Sequence, residues 1–210
     1  VWTKEELLRI GTICREHQVI VFSDEIHFDF IWSGEHHIFQ EVDPAFREFT
    51  ITATAPSKTF NLAGLQQSNI FIPNEKIRKA FIHQYKVSGL DEPNIFGVAA
   101  TQAAYNYGDE WYEAMKKYVW ENICYAKDFI DQRIPDVRMN LPEGTYLFWL
   151  DFRKLGLSAD ELEDRIVHKA GLWLDSGRIF GKAGEGFQRI NAACPRSTLR
   201  EALERIEKAL

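Results

Sequence analysis

The sequence of 210 residues has little cysteine and methionine and no long apolar run. Its three cysteines, Cys14, Cys124 and Cys194, are odd in number and widely spaced. They therefore predict reduced thiols in a cytoplasmic protein, and they exclude a disulfide framework. No stretch approaches the roughly 20 apolar residues that a membrane-spanning helix needs. The six histidines show no zinc-binding spacing, so we predict no metal.

The charge balance excludes two further classes of partner. A net charge of −6 at pH 7 argues against binding to nucleic acid or to an anionic membrane. The sequence also shows no signal-peptide pattern, internal repeat or low-complexity tract. An apolar content of 45% is enough for a sizeable core, in one large or two small domains.

Two ionisable side chains follow predicted strands. The continuous apolar run at residues 19–22 predicts a strand that is buried on both faces of a parallel sheet, and Asp24 follows it. The alternating run at residues 50–54 predicts a second strand, and Lys58 follows that one. Ligands of doubly wound sheets bind beyond the carboxyl ends of the strands. Asp24 and Lys58 are therefore candidate site residues.

The surroundings of Lys58 favour a buried site over a surface position. A lone lysine after a strand is usually a solvated surface residue. Here Ser57 and Thr59 place short hydrogen-bonding side chains on both sides of it, and Phe60 and Leu62 would bury the loop. An amine that loses hydration in such a place can act as a nucleophile.

The segment from Ser57 to Gly64 resembles the lysine motif Ser-Lys-x-Phe-x-x-x-Gly of fold-type I enzymes that use pyridoxal 5′-phosphate (PLP), in the class I/II aminotransferase-like superfamily. The resemblance extends over essentially the whole chain. It is strongest to the cystathionine β-lyase, or C–S lyase, branch (the PatB/MalY type), which the Asp-Glu-Ile-His run at residues 24–27 resembles. It implies an α/β, PLP-dependent transferase-like fold, comprising the C-terminal part of the large doubly wound domain and a small α+β C-terminal domain.

The resemblance also implies roles for individual residues. Lys58 is the residue that binds PLP covalently, and Asp24 pairs with the protonated pyridine nitrogen. His27 stands where many aminotransferases of the superfamily have a tyrosine that contacts the cofactor. Ser57 and Gln66 are the expected phosphate contacts, although Gln66 replaces a common arginine and cannot neutralise charge. A carboxylate at the end of a strand is more often a turn or cap residue, but the presence of Lys58 favours the cofactor role for Asp24.

Arg189 lies in a predicted strand at residues 187–193. An arginine in a largely apolar strand needs a partner for its guanidinium, so we expect either an internal salt bridge or a bound carboxylate. The resemblance favours the carboxylate of an amino-acid substrate, because Arg-x-Asn matches the family's carboxylate clamp. The glycines at 181–186 fit either a mobile lid or a hairpin. For Cys194 we expect a buried thiol, since no base is adjacent in sequence.

The order of predicted elements divides the chain into three parts. Residues 1–108 would form the C-terminal part of the large PLP-binding domain, 109–135 a linking helix, and 136–210 the small domain. Residues 32–47 are expected to form a polar surface loop, and residues 172–175 a strand.

These roles imply a PLP-dependent C–S β-lyase that cleaves cystathionine or cysteine S-conjugates to pyruvate, ammonia and a thiol, as a cytoplasmic homodimer. An aminotransferase acting on an L-amino acid would use the same residues. A non-catalytic fragment or regulatory partner-binding protein is a second alternative. Family members continue upstream of the point that matches Val1, with a phosphate loop, an aromatic that stacks on the cofactor and an Asn-Pro segment. We therefore expect a fragment or an incomplete first half, and an inactive chain by itself.

Overall fold

The structure, a computed structural model, describes residues 1–210. Its helices are α1 (Lys4–Glu16), α2 (Phe39–Val42), α3 (Pro56–Thr59), α4 (Glu75–Val87), α5 (Ile95–Tyr107), α6 (Asp109–Arg133), α7 (Ala159–Asp164) and α8 (Arg196–Ala209). Its strands are β1 (Val21–Asp24), β2 (Thr50–Thr54), β3 (Asn69–Phe71), β4 (Arg138–Met139), β5 (Leu147–Asp151), β6 (Asp175–Ser176) and β7 (Phe187–Asn191). Two compact units follow one another, Val1–Glu113 and Ala114–Leu210, and the boundary lies within α6.

The first unit contains a three-stranded sheet in the order β1-β2-β3. β1 and β2 are parallel, with Asp24 opposite Ala53, and β3 runs antiparallel to β2. Because the carboxyl ends of parallel strands lie at the same edge of a sheet, the segments that carry Asp24 and Lys58 leave the sheet side by side. Both segments therefore lie at the carboxyl edge of the parallel pair.

The predicted burial of residues 19–22 on both faces of a sheet is wrong. Ile20 and Phe22 are each 57% exposed, and exposed and half-buried residues alternate along β1. The reason is that β1 pairs only with β2 and is an edge strand of this sheet. A continuous apolar run cannot by itself tell an edge strand from a central one.

The predicted polar surface loop at residues 32–47 is also wrong. It contains α2 and part of the 3-10 helix Pro44–Glu48, and both contribute to the core. Phe39 and Phe46 are buried, and their rings stack with centroids 5.3 Å apart. They pack with Leu7 of α1, where Gly11 leaves room: a Cβ at Gly11 would lie 2.1 Å from the Phe46 ring.

Helix ends follow local side-chain chemistry. Thr3 and Ser158 form the capping boxes that start α1 and α7, with Glu6 and Glu161 as the reciprocal partners. Asn74 caps α4 by accepting a hydrogen bond from the Ile77 N–H at 3.0 Å.

None of the helices has both the length and the apolar character that a membrane-spanning segment requires.

The second unit is an antiparallel sheet in the order β4-β5-β7-β6 with helices α6 to α8. α6 and α8 each bury a stripe at helical spacing: Val119, Ile123, Ala126 and Ile130 on α6, and Leu199, Leu203 and Ile206 on α8. Side chains alternate along β5, so that Phe148 and Leu150 are buried whereas Trp149 is 37% exposed.

The strand predicted at residues 172–175 begins later, at Asp175. A π-helical turn, Arg165–Lys169, extends α7, and the Leu172 N–H donates to the Ile166 carbonyl at 2.9 Å. Leu172 is therefore bonded to a helical turn and not to the sheet.

The glycine-rich segment after β6 forms two 3-10 turns, Gly177–Phe180 and Lys182–Gly184. Gly177 and Gly184 let the two turns touch, since a Cβ on Gly177 would lie 1.9 Å from the Gly184 carbonyl oxygen.

Candidate functional site

Lys58 lies in α3, the single helical turn that follows β2. Pro56 begins that turn, and its fixed φ suits the first helical position. The Phe60 N–H donates to the Pro56 carbonyl at 2.8 Å and closes the turn. The Lys58 side chain is half-buried, and its amine makes neither a hydrogen bond nor an ion pair. An amine held in this way is available to a ligand.

Asp24 is the last residue of β1, and it is exposed. Its Oδ1 accepts a hydrogen bond from the Ile26 N–H at 3.2 Å, whereas its Oδ2 makes none. The sheet continues past it, because the Glu25 N–H donates to the Ala53 carbonyl at 2.9 Å. Asp24 thus has a fixed backbone and a carboxylate oxygen available to a ligand.

The next residue, Glu25, is a buried carboxylate that the sequence analysis missed. It accepts hydrogen bonds from the Ser23 hydroxyl at 2.9 Å and the Phe39 N–H at 3.1 Å, and its Oε2 lies 2.9 Å from His36 Nε2. Desolvation, the largest single influence, would raise the pKa of Glu25, but the hydrogen bonds from His36, Phe39 and Ser23 together outweigh it and lower that pKa. Nothing in the sequence indicates that Glu25 pairs with His36, eleven residues further along the chain.

The other predicted cofactor contacts lie on the same unit. The His27 side chain is half-buried, with its ring centroid 6.3 Å from that of the buried Phe30. The Ser57 hydroxyl lies 3.5 Å from the Gln67 carbonyl, so α3 adjoins the segment that contains Gln66. Gln66 itself is exposed and has a left-handed backbone, with φ +54°. The structure thus brings Ser57 and the Gln66 segment together.

Arg189 lies on β7 in the second unit and has a partner there. Its Nε and Nη2 both donate to Oδ2 of Asp175, at 3.1 and 2.8 Å, in a cross-strand pair between β6 and β7. Its guanidinium carbon lies 4.6 Å from the Phe180 ring centroid. The structure therefore contains the internal salt bridge that the sequence left open. Because both donated bonds go to one oxygen, the pair lacks the two-oxygen geometry of a full bidentate contact.

A cavity of about 610 Å³ lies on the second unit. Its wall includes Trp149 and Phe180, whose ring centroids lie 6.0 and 4.6 Å from the Arg189 guanidinium carbon, and also Asp151 and Arg153. Arg153 donates to both oxygens of Asp151, and that hydrogen bonding lowers the pKa of the Asp151 carboxyl. Its lining residues all belong to the second unit, so Asp24 and Lys58 are not among them.

The residues of the first unit fit a PLP group by their chemistry. PLP offers an aldehyde, a basic ring nitrogen and a phosphate. Lys58 supplies an amine without a partner, Asp24 supplies a carboxylate oxygen without one, and Ser57 supplies a hydroxyl beside Lys58. No group of His, Cys, Asp and Glu side chains could hold a metal ion.

Comparison with known proteins assigns the family. The model of the family "Aminotransferase class I and II" matches residues 1–206, and the chain belongs to that family. Cystathionine beta-lyase PatB of Bacillus subtilis is 42% identical over all 210 residues, and the chain covers 54% of it.

Solved structures agree with this assignment. Cystalysin from Treponema denticola, which contains a pyridoxal 5′-phosphate cofactor, superposes with a TM-score of 0.95 at 41% identity, over 100% of this chain and 53% of that one. The PLP-bound C–S lyase from Staphylococcus hominis gives a TM-score of 0.89 at 36% identity, over 100% and 54%. The chain therefore spans about half the length of the relatives it matches.

These findings confirm the predicted family and the PLP-dependent transferase-like fold. They also confirm the predicted similarity to the C–S lyase branch of the family. The roles assigned to Asp24, His27, Ser57, Lys58 and Gln66, and to Arg189, stay predictions. The three-part division of the chain also stays a prediction.

Proposed function

We propose that the protein is a PLP-dependent carbon–sulfur β-lyase acting on cystathionine or related cysteine S-conjugates. The observation that carries the proposal is the location of Asp24 at the carboxyl end of one strand and of Lys58 just beyond the carboxyl end of the adjacent parallel strand. The family and the 42% identity to a cystathionine β-lyase support it. When bound, PLP would supply an electron sink for the substrate's Cα.

Lys58 has two tasks in this proposal. Its Nζ, which makes no hydrogen bond in the structure, forms the covalent bond to the cofactor. With the substrate bound, the same Nζ would take the proton from Cα as a general base. The Cβ–S bond would then break with its electron pair on sulfur, and Nζ would return the proton to that sulfur, which leaves as a thiol. Hydrolysis of the remaining fragment gives pyruvate and ammonia.

The other residues bind and orient. The Asp24 carboxylate would hold the proton on the pyridine nitrogen, and Ser57 and Gln66 would donate hydrogen bonds to the phosphate. His27 would contact the cofactor. Arg189 would bind the substrate α-carboxylate, which has to compete with Asp175 for the guanidinium.

The experiment uses the complete protein translated from the reading frame that contains this chain, supplied with PLP and L-cystathionine. We expect pyruvate and homocysteine without any added 2-oxo acid, because elimination returns Lys58 to its cofactor-bound state. Lys58→Ala should abolish the reaction. A reaction that requires added 2-oxoglutarate and forms glutamate, with no pyruvate in its absence, would make the protein an aminotransferase and overturn the lyase proposal.

An aminotransferase is the second and weaker candidate, supported only by the description of the family, "Aminotransferase class I and II". The same residues would serve in an aminotransferase, but Lys58 would return the proton to carbon and not to a departing sulfur.

We further propose a cytoplasmic homodimer whose large domain includes residues 1–108, joined by a linking helix at 109–135 to a small domain at 136–210. Resemblance to the family supports this, and light scattering on the complete protein tests its dimeric state.

A further inference from the structure

One hydrogen bond joins the two segments that leave the carboxyl edge of the first sheet. The Thr59 hydroxyl donates to Oδ2 of Asp29 at 2.6 Å. Asp29 lies in the turn at residues 26–29 that follows Asp24, and Thr59 is the neighbour of Lys58 in α3. The bond therefore connects the segment that carries Asp24 and His27 to the helical turn that carries Lys58.

The surroundings make this bond well ordered. Thr59 is only 2% exposed, so water does not compete for its hydroxyl. The acceptor is a carboxylate, and hydrogen bonds to ionised acceptors are shorter and stronger than neutral ones. Asp29 is held from its backbone as well, because the Tyr112 hydroxyl donates to the Asp29 carbonyl at 2.6 Å.

α3 depends on such contacts for its orientation. It has four residues, and a single helical turn has almost no stability of its own. Beyond its end, the Phe60 ring packs on Trp111 with centroids 5.9 Å apart, and on Tyr112 at 6.5 Å. Aromatic packing tolerates sliding, whereas the Thr59–Asp29 hydrogen bond fixes one distance and one direction.

We propose that Asp29 and Thr59 are positioning residues that hold Lys58 in register with Asp24. The inference rests on the proposed function, in which Lys58 binds the cofactor covalently and Asp24 binds its ring nitrogen. One rigid ring must then meet both side chains, so the separation of the two segments has to be held to within about 0.5 Å. Losing the Thr59–Asp29 bond would leave both residues present and their separation variable.

The test compares Thr59→Val with a matched control in the complete protein. Thr59→Val removes one buried hydroxyl at nearly constant volume. Thr50→Val does the same in β2, where the buried Thr50 hydroxyl donates to the Phe46 carbonyl at 2.7 Å, away from the carboxyl edge. Thr59→Ser retains the hydroxyl. The readout is the rate at which PLP becomes attached to Lys58 in a borohydride-reducible form, measured without substrate.

We expect Thr59→Val to slow attachment by on the order of tenfold, in line with the loss of one charge-assisted hydrogen bond. Thr59→Ser should restore most of the rate, and Thr50→Val should leave it unchanged. Equal rates in Thr59→Val and Thr50→Val would overturn the inference while the proposed function stands. Attachment that persists in Lys58→Ala would instead contradict the proposed function.

A second measurement keeps the inference testable if Thr59→Val does not fold. Asp29→Asn retains an oxygen acceptor for Thr59 but loses the negative charge, so we expect a folded protein with an intermediate attachment rate. A rate in Asp29→Asn equal to that of the unaltered protein, together with full activity, would overturn the positioning role of Asp29.

Discussion

The two units of this chain differ in how many of their apolar side chains are buried. The first unit, Val1–Glu113, buries seven hydrophobic residues, and the second, Ala114–Leu210, buries twenty-one. Large hydrophobic residues that stay exposed show the opposite distribution, with twenty in the first unit and six in the second. The second unit therefore has the core of an ordinary small domain, and the first does not.

The proposed cofactor-binding residues and the larger apolar core therefore lie in different units. The residues proposed to bind the cofactor all lie in the first unit, whose order depends on hydrogen bonds such as Thr59–Asp29 and the contacts of Glu25 as well as on burial. The second unit is held mainly by apolar packing. Substitutions of the same kind should therefore have different consequences in the two units.

The largest effect is expected from truncating the core of the second unit. Leu203 of α8 is fully buried, so Leu203→Ala should lower the free energy of unfolding by about 2–5 kcal/mol. Leu8 of α1 is 43% exposed, so Leu8→Ala is the matched control in the first unit and should cost under about 1 kcal/mol. Urea unfolding of both variants measures the difference. Equal losses would contradict the expected difference between a fully buried leucine of the second unit and a largely exposed leucine of the first.

A buried amide in the second unit gives the next largest effect. Asn122 is fully buried, and its side-chain N–H₂ donates to the Ala192 and Cys194 carbonyls at 2.9 and 2.8 Å. Asn122→Ala leaves both carbonyls without that donor and should cost about 1–3 kcal/mol. Asn122→Asp retains the oxygen that accepts from Arg196 but not the donors. We expect Asn122→Asp to be destabilised as well, and a stable variant would show that the two donated bonds contribute little.

In the first unit, Glu25 should make stability depend on pH. Its pKa in the folded protein is below its ordinary value of 4.5, so it contributes stability above about pH 4.5 that is lost as the pH falls through the lowered pKa. Glu25→Gln should therefore lower the free energy of unfolding by about 1–2 kcal/mol at pH 7, and by less in acid. Unfolding curves between pH 7 and the acid range test this. A difference that is independent of pH would contradict it.

The smallest effect is expected at the exposed edge of the first sheet. Phe22 is 57% exposed on β1, so Phe22→Thr should change the free energy of unfolding by under about 0.5 kcal/mol. It should nevertheless reduce binding of a hydrophobic dye, because that dye reports exposed apolar surface. Trp173→Thr removes an apolar side chain that is 90% exposed in the second unit, so it is the positive control for reduced dye binding. Unchanged dye binding in Phe22→Thr would show that the edge of β1 is not an accessible apolar surface.

Much of the fold could be predicted because its determinants are local. The capping box at Thr3, the Asn74 cap and the long amphipathic pattern after Asp109 each act within a few residues, and the structure has helices at these places. The alternating run Thr50–Thr54 is a strand with those bounds. Such signals need no knowledge of distant parts of the chain.

The errors arose where partners distant in sequence decide the outcome. Whether Phe22 is buried depends on what pairs with β1, and Phe46 is buried because Gly11 of α1 leaves room for its ring. In the same way, Glu25 and Asp29 could not be recognised before their partners His36 and Thr59 were placed beside them. Asp24 and Lys58 could be proposed because both stand at strand ends, a position that sequence does reveal.

The proposed covalent bond between Lys58 and the cofactor can be detected by peptide mapping. The complete protein is incubated with PLP, reduced with borohydride, digested and analysed by peptide mass spectrometry. We expect a single pyridoxyl-modified peptide, which contains Lys58, and no modification of that peptide in Lys58→Ala. Modification spread over several surface lysines, or an unmodified Lys58 peptide, would contradict it.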